Sequence, residues 1–520
     1  MSDGHSLKKR YGFKLLGNFI GLPLNFAVQM IVPRALGPEY YGDYNFLTNF
    51  FSQLTGFFES GTSAAFFTKL SQRPQEKKLV SFYSCFMLCA AAAIFFFTAG
   101  AGFLGYYRFF LPGQDMFYIY LALFTGMSAF LAQVSCEMAD AYGLTVSAEI
   151  AKILQKVIGA LVIVLLFSCR SLNLLTYFIY TYLMFFLLSF ICARIIKSRG
   201  YPWLTCFGLS LKESRAYAGE FYRYCHPLFT YSLVGLLAGI FDRWLLQACA
   251  GSIQQGFFSL SYQVGVLCFI FTSAMTPLIT REFSIAAQVN DLEHMARLFQ
   301  RYIPFFYLIS AFLGCFIAVN ADKFNLIIAG NNFKQATTAI AIMAFYPLNQ
   351  TYGQLSGSLF FATGKTGLYR NIGIVSMLAG MLLTYLLVAP RQNLGLGAGA
   401  VGLALKMVSV QFIAVNVQLY FNARMLKLSF WKFLGYQLAT VGCLLCISFA
   451  VTLLLGRVDF LSKNVILNFF AAGFVYTLAT GLIVYLLPQV FGINRRDFHA
   501  LAADMRRFIV GAAGREQKQG

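Results

Sequence analysis

Five ionisable residues stand within or at the ends of long apolar runs: Arg34, Glu59, Asp242, Arg243 and Lys406. A charge in such a place is expensive unless it meets an opposite charge or water. Arginine grips a phosphate through two parallel N–H donors, and lysine meets it as a point charge. Arg34, Arg243 and Lys406 therefore suit a cavity that receives an anion such as a phosphate group. Glu59 and Asp242 suit the balancing of those cations in the empty cavity, or the uptake of a proton or Na⁺ in a coupling cycle. Each has a structural alternative. Arg34 and Arg243 lie near enough to the outer ends of their runs to snorkel to the headgroups. Asp242 can fix a helix packing contact, and Glu59 and Lys406 can form a buried pair that only holds helices together. Asp242 and Arg243 are sequence neighbours, so on a helix they diverge and need not pair. A second group, Glu137, Asp140, Glu149 and Lys152, surrounds one expected turn and reads either as an inner gate or as solvated loop charge.

These residues are sparse in an apolar chain. Of 520 residues, 58% are hydrophobic and 12% charged, with mean hydropathy +0.66. Soluble domains run at roughly 45–50% apolar and about 25% charged. The composition excludes an ordinary soluble enzyme, a disordered chain and a disulfide scaffold, and leaves a polytopic all-α membrane protein. A spanning helix needs about 20 mostly apolar residues. Fourteen segments qualify: 15–32, 44–67, 79–106, 116–136, 150–169, 172–193, 227–250, 257–280, 302–319, 336–363, 371–388, 396–420, 433–455 and 465–487. The fifth is the weakest, because Lys152 and Lys156 occupy its first two turns.

With the N-terminus placed in the cytoplasm, the inner segments hold 30 of the 40 Lys and Arg residues and the outer segments nine, with Lys406 mid-span. That bias follows the positive-inside rule and predicts both termini on the cytoplasmic side. The net charge of +20 is thus a topology signal rather than a nucleic-acid footprint. The basic inner face suits anionic lipid headgroups. The first apolar run reads as a retained helix rather than a cleaved signal. Cys443 and Cys446 form a C-x-x-C inside an apolar run with no second pair, which reads as packing rather than metal or redox chemistry. No metal site and no cofactor is expected, and no P-loop is present to hydrolyse ATP.

Two short turns match each other. Gly37–Tyr44 follows the first run and Gly251–Phe258 the seventh, each with two glycines five apart and aromatics after them. Asp140–Gly143 and Phe361–Gly364 close the fourth and tenth. The two pairs of landmarks stand at nearly equal offsets, each spanning six runs, which indicates a duplicated six-helix lobe in parallel orientation. The expected organisation is an N-lobe over 1–196, a basic linker over 197–223 and a C-lobe over 224–421. Two extra helices follow over 422–490, then an amphipathic tail over 491–520.

Three stretches carry a family likeness. Pro33–Tyr44, Phe241–Leu246 with the Gly256–Ser259 turn, and Ile328–Ala336 resemble, in order and spacing, the polysaccharide-transporter and O-antigen flippase branch of the multidrug/oligosaccharidyl-lipid/polysaccharide flippase superfamily. The resemblance covers roughly residues 10–490. It implies a MATE-like fold, and translocation of an undecaprenyl-pyrophosphate-linked oligosaccharide from the inner to the outer leaflet of a bacterial cytoplasmic membrane. The products would be O-antigen, capsule or exopolysaccharide. The implied partners are the lipid-linked oligosaccharide, membrane lipids, a polysaccharide polymerase and a chain-length regulator, with no nucleic acid. Glu59 matches no pattern of the branch. The competing readings are a cation-coupled drug antiporter, a lipid II flippase and a membrane-embedded glycan polymerase or ligase. The twelve-helix architecture of the first and the large outer loop of the last fit this chain less well.

Overall fold

The computed structural model describes residues 7–205, 208–273, 276–458, 460 and 463–493. Among them every regular element is helical. Ten helical segments are long and apolar enough to cross a membrane, and they account for ten of the fourteen expected runs. One is α6 (Thr145–Ser168), the run that carries Lys152 and Lys156. The amphipathic tail expected over 491–520 lies almost wholly outside the described residues.

The remaining runs are the first, second, eighth and tenth, and all of them involve interrupted helices. The first two share one long helix, α1 (Leu7–Glu59), which is kinked at Gly37 (φ 71°, ψ 172°). The eighth shares α8 (Leu211–Ser273) with the seventh, and that helix is kinked at Gly251 (φ 78°, ψ −178°). This region of φ/ψ space is essentially open to glycine alone, and the two glycines are the ones that open the matched turns of the sequence. Pro38 directly follows the first kink, where its missing N–H costs nothing at a new helix start. The second run breaks again at Ser60–Gly61 before α2 (Thr62–Gln72). The tenth is split near Ala344 and Phe345 into α12 (Thr337–Met343) and α13 (Tyr346–Ala362). The Gly37 and Gly251 bends fall between successive runs in corresponding places of the two halves, whereas the split tenth run has an unbroken counterpart in the fourth, Met116–Ala141.

The chain divides into two compact units. The first holds residues 1–259, 328–335 and 377–403. Besides α1, α2 and α6 it contains α3 (Lys77–Phe103), α5 (Met116–Ala141) and α7 (Leu174–Ser198). Its core is aromatic and aliphatic: Phe46, Leu47, Phe51 and Phe178 pack in one cluster, and Phe66, Tyr83 and Met138 in another. The second unit holds residues 260–327, 336–376 and 404–520. There α10 (Leu292–Val319) packs on α13, α16 (Phe430–Gly456) and α17 (Val465–Leu486), and α16 packs on α17. Phe299, Ile303, Leu359 and Leu444 are completely buried in its core. Capping sets the helix starts: Asp291 accepts from His294 N (2.8 Å) ahead of α10, and Asn464 from Ile466 N (3.1 Å) ahead of α17.

Within the first unit the two glycine turns interlock. A Cβ on Gly42 would stand 1.9 Å from Ser252 O, and one on Gly256 would stand 2.0 Å from Pro38 O. Gly42 matches Gly256 in the sequence repeat and Pro38 matches Ser252, so each turn makes the same contact on the other. Ser252 Oγ donates to Asp43 Oδ1, and Gln114 Nε2 donates to the same oxygen at 2.6 Å. The helix ends just before Gly143 and Gly364 also match. Gly143 N bonds Asp140 O (3.0 Å) and Leu144 N bonds Ala139 O (2.8 Å). Gly364 N bonds Phe361 O (3.3 Å) and Lys365 N bonds Phe360 O (2.9 Å). Both are Schellman closures, at the two glycines paired by the sequence.

Candidate functional site

The kinks decide where the charged side chains of the first unit go. Arg243 stands about two turns before Gly251, and the bend brings the next helix back against it. Its Nη1 donates to Ser259 Oγ (2.8 Å) and Gln255 Oε1 (3.1 Å), and its guanidinium lies 4.4 Å from the Phe258 ring centroid. Gln255 Nε2 returns a bond to Arg243 O at 2.7 Å. The equivalents in the earlier copy of the repeat are Gln29 and Tyr41, joined by a longer bond from Tyr41 Oη to Gln29 Oε1 (3.5 Å). The second copy thus holds a cation where the first holds an amide. Asp242 turns elsewhere and accepts from Thr384 Oγ1 at 2.6 Å. Arg34 is exposed, and its Nε donates to Ile328 O at 3.0 Å.

Glu59 is the last residue of α1, just before the Gly61 break. It lines a cavity of about 550 Å³ with Glu137, Gln133, Ser63 and Thr68. Ser63 Oγ and Gln133 Nε2 both donate to Glu137, the second at 3.3 Å. Two carboxylates with hydroxyl and amide donors around one space form an arrangement that can hold a proton or a small cation. In the rest of the expected gate, Asp140 and Glu149 both lie within electrostatic reach of Lys152. Glu149 is buried and pairs with Lys152 at 2.9 Å at the start of α6. One oxygen of Asp140 is buried without a hydrogen-bond partner among the described residues.

Lys406 belongs to the second unit, on α15 (Gly399–Met425), and is 6% exposed. Besides this buried lysine, that unit's interior holds several uncharged polar groups. Ser310 and Thr351 hydroxyls lie 2.8 Å apart, Asn422 Nδ2 donates to Ser356 Oγ (2.6 Å), and Gln411 Nε2 donates to Gln350 Oε1 (3.0 Å). A cavity of about 340 Å³ there is lined by Asn349, Ser409, Gln437 and several apolar residues. A search for charges passes over these amides and hydroxyls. Their density in the split tenth run was the signal available. The second unit also pins its last two helices through a lysine. Lys323 Nζ donates to Asn468 Oδ1 of α17 (2.8 Å) and to Asn320 Oδ1 (3.2 Å), and Asn320 Oδ1 accepts from Thr452 of α16 (3.2 Å).

The profile of the polysaccharide biosynthesis protein family matches residues 7–283, more than half of the chain. The chain belongs to that family. The interlocked turns and the Arg243 cluster lie within the matched part, which runs from residue 7 past the second kink. Comparison with curated protein sequences returned no significant match. Solved structures show how the family's chain folds here. One similar structure is the lipid II flippase MurJ in an inward closed conformation. It is 14% identical, covers 91% of this chain and 98% of its own, and has a TM-score of 0.63. Another is an inward-facing multidrug resistance MATE family transporter of the MOP superfamily. It is 14% identical, covers 81% of this chain and 99% of its own, and has a TM-score of 0.62. A third is a MOP superfamily transporter from Pyrococcus furiosus, 15% identical, covering 80% of this chain and 96% of its own, with a TM-score of 0.53. This family member therefore has the MOP transporter fold and is a multi-pass membrane protein.

Proposed function

We propose that the protein is a flippase. It moves an undecaprenyl-pyrophosphate-linked oligosaccharide from the inner to the outer leaflet of a bacterial cytoplasmic membrane by alternating access, for O-antigen, capsule or exopolysaccharide synthesis. The observation that carries this reading is the coincidence of a polysaccharide biosynthesis family match with a MOP fold. The likeness to the lipid II flippase over 91% of the chain favours a lipid-linked glycan over a drug. In this reading the protein is a transporter and not an enzyme. Lys406, Arg243 and Arg34 supply positive charge to the pyrophosphate, and Glu59 and Asp242 balance it or take up H⁺ or Na⁺. Glu137, Asp140, Glu149 and Lys152 form the inner gate. The polymerase and the chain-length regulator are its partners downstream.

The test is reconstitution in proteoliposomes with three lipid probes: an undecaprenyl-pyrophosphate-linked oligosaccharide, lipid II and a cationic dye. Flipping of the first without ATP, at a rate well above the other two, is expected. Dye efflux in place of glycan flipping would favour the antiporter, and preference for lipid II the peptidoglycan route.

A further inference from the structure

The first unit contains a basic cavity that the reading above does not use. Its volume is about 570 Å³, and it is lined by Lys69, Arg215, Ala216, Gly219, Glu220, Arg223 and Tyr224. One wall is the end of α2. The other is the opening stretch of α8, which precedes the apolar segment beginning at Phe229.

The spacing along α8 builds the cavity. Arg215, Gly219 and Arg223 recur at every fourth position and so share one face, with the two arginines about 12 Å apart along the axis. Gly219 lies midway, and a Cβ there would meet nothing within 4 Å. The glycine is the floor, and the arginines, both exposed, are the rims. Lys69 faces them from α2. Glu220 accepts from Lys69 Nζ and from Arg73 Nη2 (2.7 Å), which holds Lys69 in place while leaving it donors to spare. Hydrogen bonding and charge from Lys69 and Arg73 keep the Glu220 carboxyl below its usual range, so it stays ionised and the geometry persists. Three cations and one carboxylate leave two net positive charges around the space. A pyrophosphate esterified at both ends carries two negative charges.

The depth also fits. Arg223 is six positions ahead of Phe229, about 9 Å of helix. Tyr222 and Tyr224 flank it at 65% and 45% exposed. Tyrosines in such places sit at the level of the lipid headgroups.

We propose that this cavity captures the pyrophosphate of a lipid-linked glycan at the membrane surface before translocation, with Lys69, Arg215 and Arg223 as its phosphate ligands. The proposal rests on the flippase reading and adds a docking step that precedes translocation.

The experiment measures binding of an undecaprenyl-pyrophosphate-linked oligosaccharide to the full chain in phosphatidylcholine nanodiscs. Arg215→Gln with Arg223→Gln is expected to weaken it about tenfold or more, the scale of losing charge-assisted hydrogen bonds. Gly219→Leu leaves the charge unchanged, favours the helix and fills the space, and it is expected to weaken binding about as much. Lys212→Gln, on the same helix but outside the cavity, should stay within about twofold. Phosphatidylglycerol at the same mole fraction, and inorganic pyrophosphate in solution, are expected to compete about tenfold less well. If Gly219→Leu binds normally, or if phosphatidylglycerol competes equally, the site is only a diffuse basic surface and the proposal is overturned. Flipping by the wild-type chain is read in parallel. A wild type that binds through these residues yet does not flip refutes the flippase reading and leaves the capture site standing. A wild type that flips while both variants bind normally refutes the capture site alone.

Discussion

Gly256 shows how much a single position can carry. Its Cα faces Pro38 O so closely that even a methyl group would overlap backbone, and backbone cannot turn aside as a side chain can. Gly256→Ala is expected to cost about 1–3 kcal/mol, the usual range for overpacking. The thermal midpoint of the purified protein should fall, and Gly42→Ala should do the same through Ser252 O. An unchanged midpoint for both would mean that the turns do not interlock. Lys406 tests the cavity assignment instead of the fold. A lysine inside a spanning helix is costly, up to roughly 2.5–3.5 kcal/mol at the centre on insertion scales, a cost that leucine or alanine would avoid. Lys406→Ala should insert and accumulate normally yet lose glycan export, and Lys406→Arg should keep part of it. Export at the wild-type rate by Lys406→Ala would remove it from the substrate path.

At the scale of elements, two attachments depend on charge. The first is Lys323, whose ammonium bridges Asn320 to Asn468 of α17. Lys323→Met removes the donor and leaves two amide oxygens to find other partners. Bonds to a charged group are worth about 1.5–3 kcal/mol, so α17 should become more accessible to proteolysis or to cysteine labelling near its start. Labelling identical to wild type would show that apolar packing of Tyr476 on Phe312 and Phe316 suffices. The second attachment holds the opening stretch of α8 to the α2–α3 turn. Lys78 pairs with Glu213, Lys69 and Arg73 pair with Glu220, and Tyr217 donates to Glu76. The Lys78 ammonium and the Ser210 groups hold Glu213 down at about 2, and Glu220 is also lowered. Folded-state values below the unfolded one stabilise docking at every pH above the ordinary carboxyl range, with the benefit lost as pH falls through the folded values. The hydrogen-exchange protection factors of residues 211–226, taken relative to the intrinsic rate at each pH, should therefore be flat from pH 8 to about pH 5 and fall only below about pH 4.5. Loosening between pH 8 and pH 6 would contradict this.

For the molecule as a whole, the prediction is topological. The excess of basic residues in alternate connections predicts both ends on one side, the cytoplasmic one. A membrane-impermeant thiol reagent applied outside intact cells should fail to label Ser2→Cys or Gln519→Cys in a chain stripped of its other exposed thiols. Labelling at either end would invert the assignment of faces. It would also move the basic cavity around Lys69 to the wrong side for a substrate made in the cytoplasm.

Much of this was legible in the order of residues. Composition and run length determine that the chain is an all-helical membrane protein, because no other backbone arrangement but a closed barrel satisfies its polar groups in lipid. The glycine spacings marked both kinks, since each kink needs a conformation that other residues avoid. The Glu149–Lys152 pair follows from being three apart on one helix. The tertiary structure decided what those features meet. Nothing in the spacing of Gly42 and Gly256 says that each turn fills the gap left by the other, because that contact joins positions far apart along the chain. Arg243 was visible as a charge, but Gln255 and Ser259 were not visible as its partners, since an uncharged polar residue in an apolar run does not say what it meets until the kink folds it back. The same holds for Asn468 with Lys323, and for Gly219, which reads as a weak point in a helix until Lys69 stands opposite and makes it the floor of a cavity. Local pattern sets which helices form and where they bend. Which side chains share a space depends on long-range packing, and packing has no local signature.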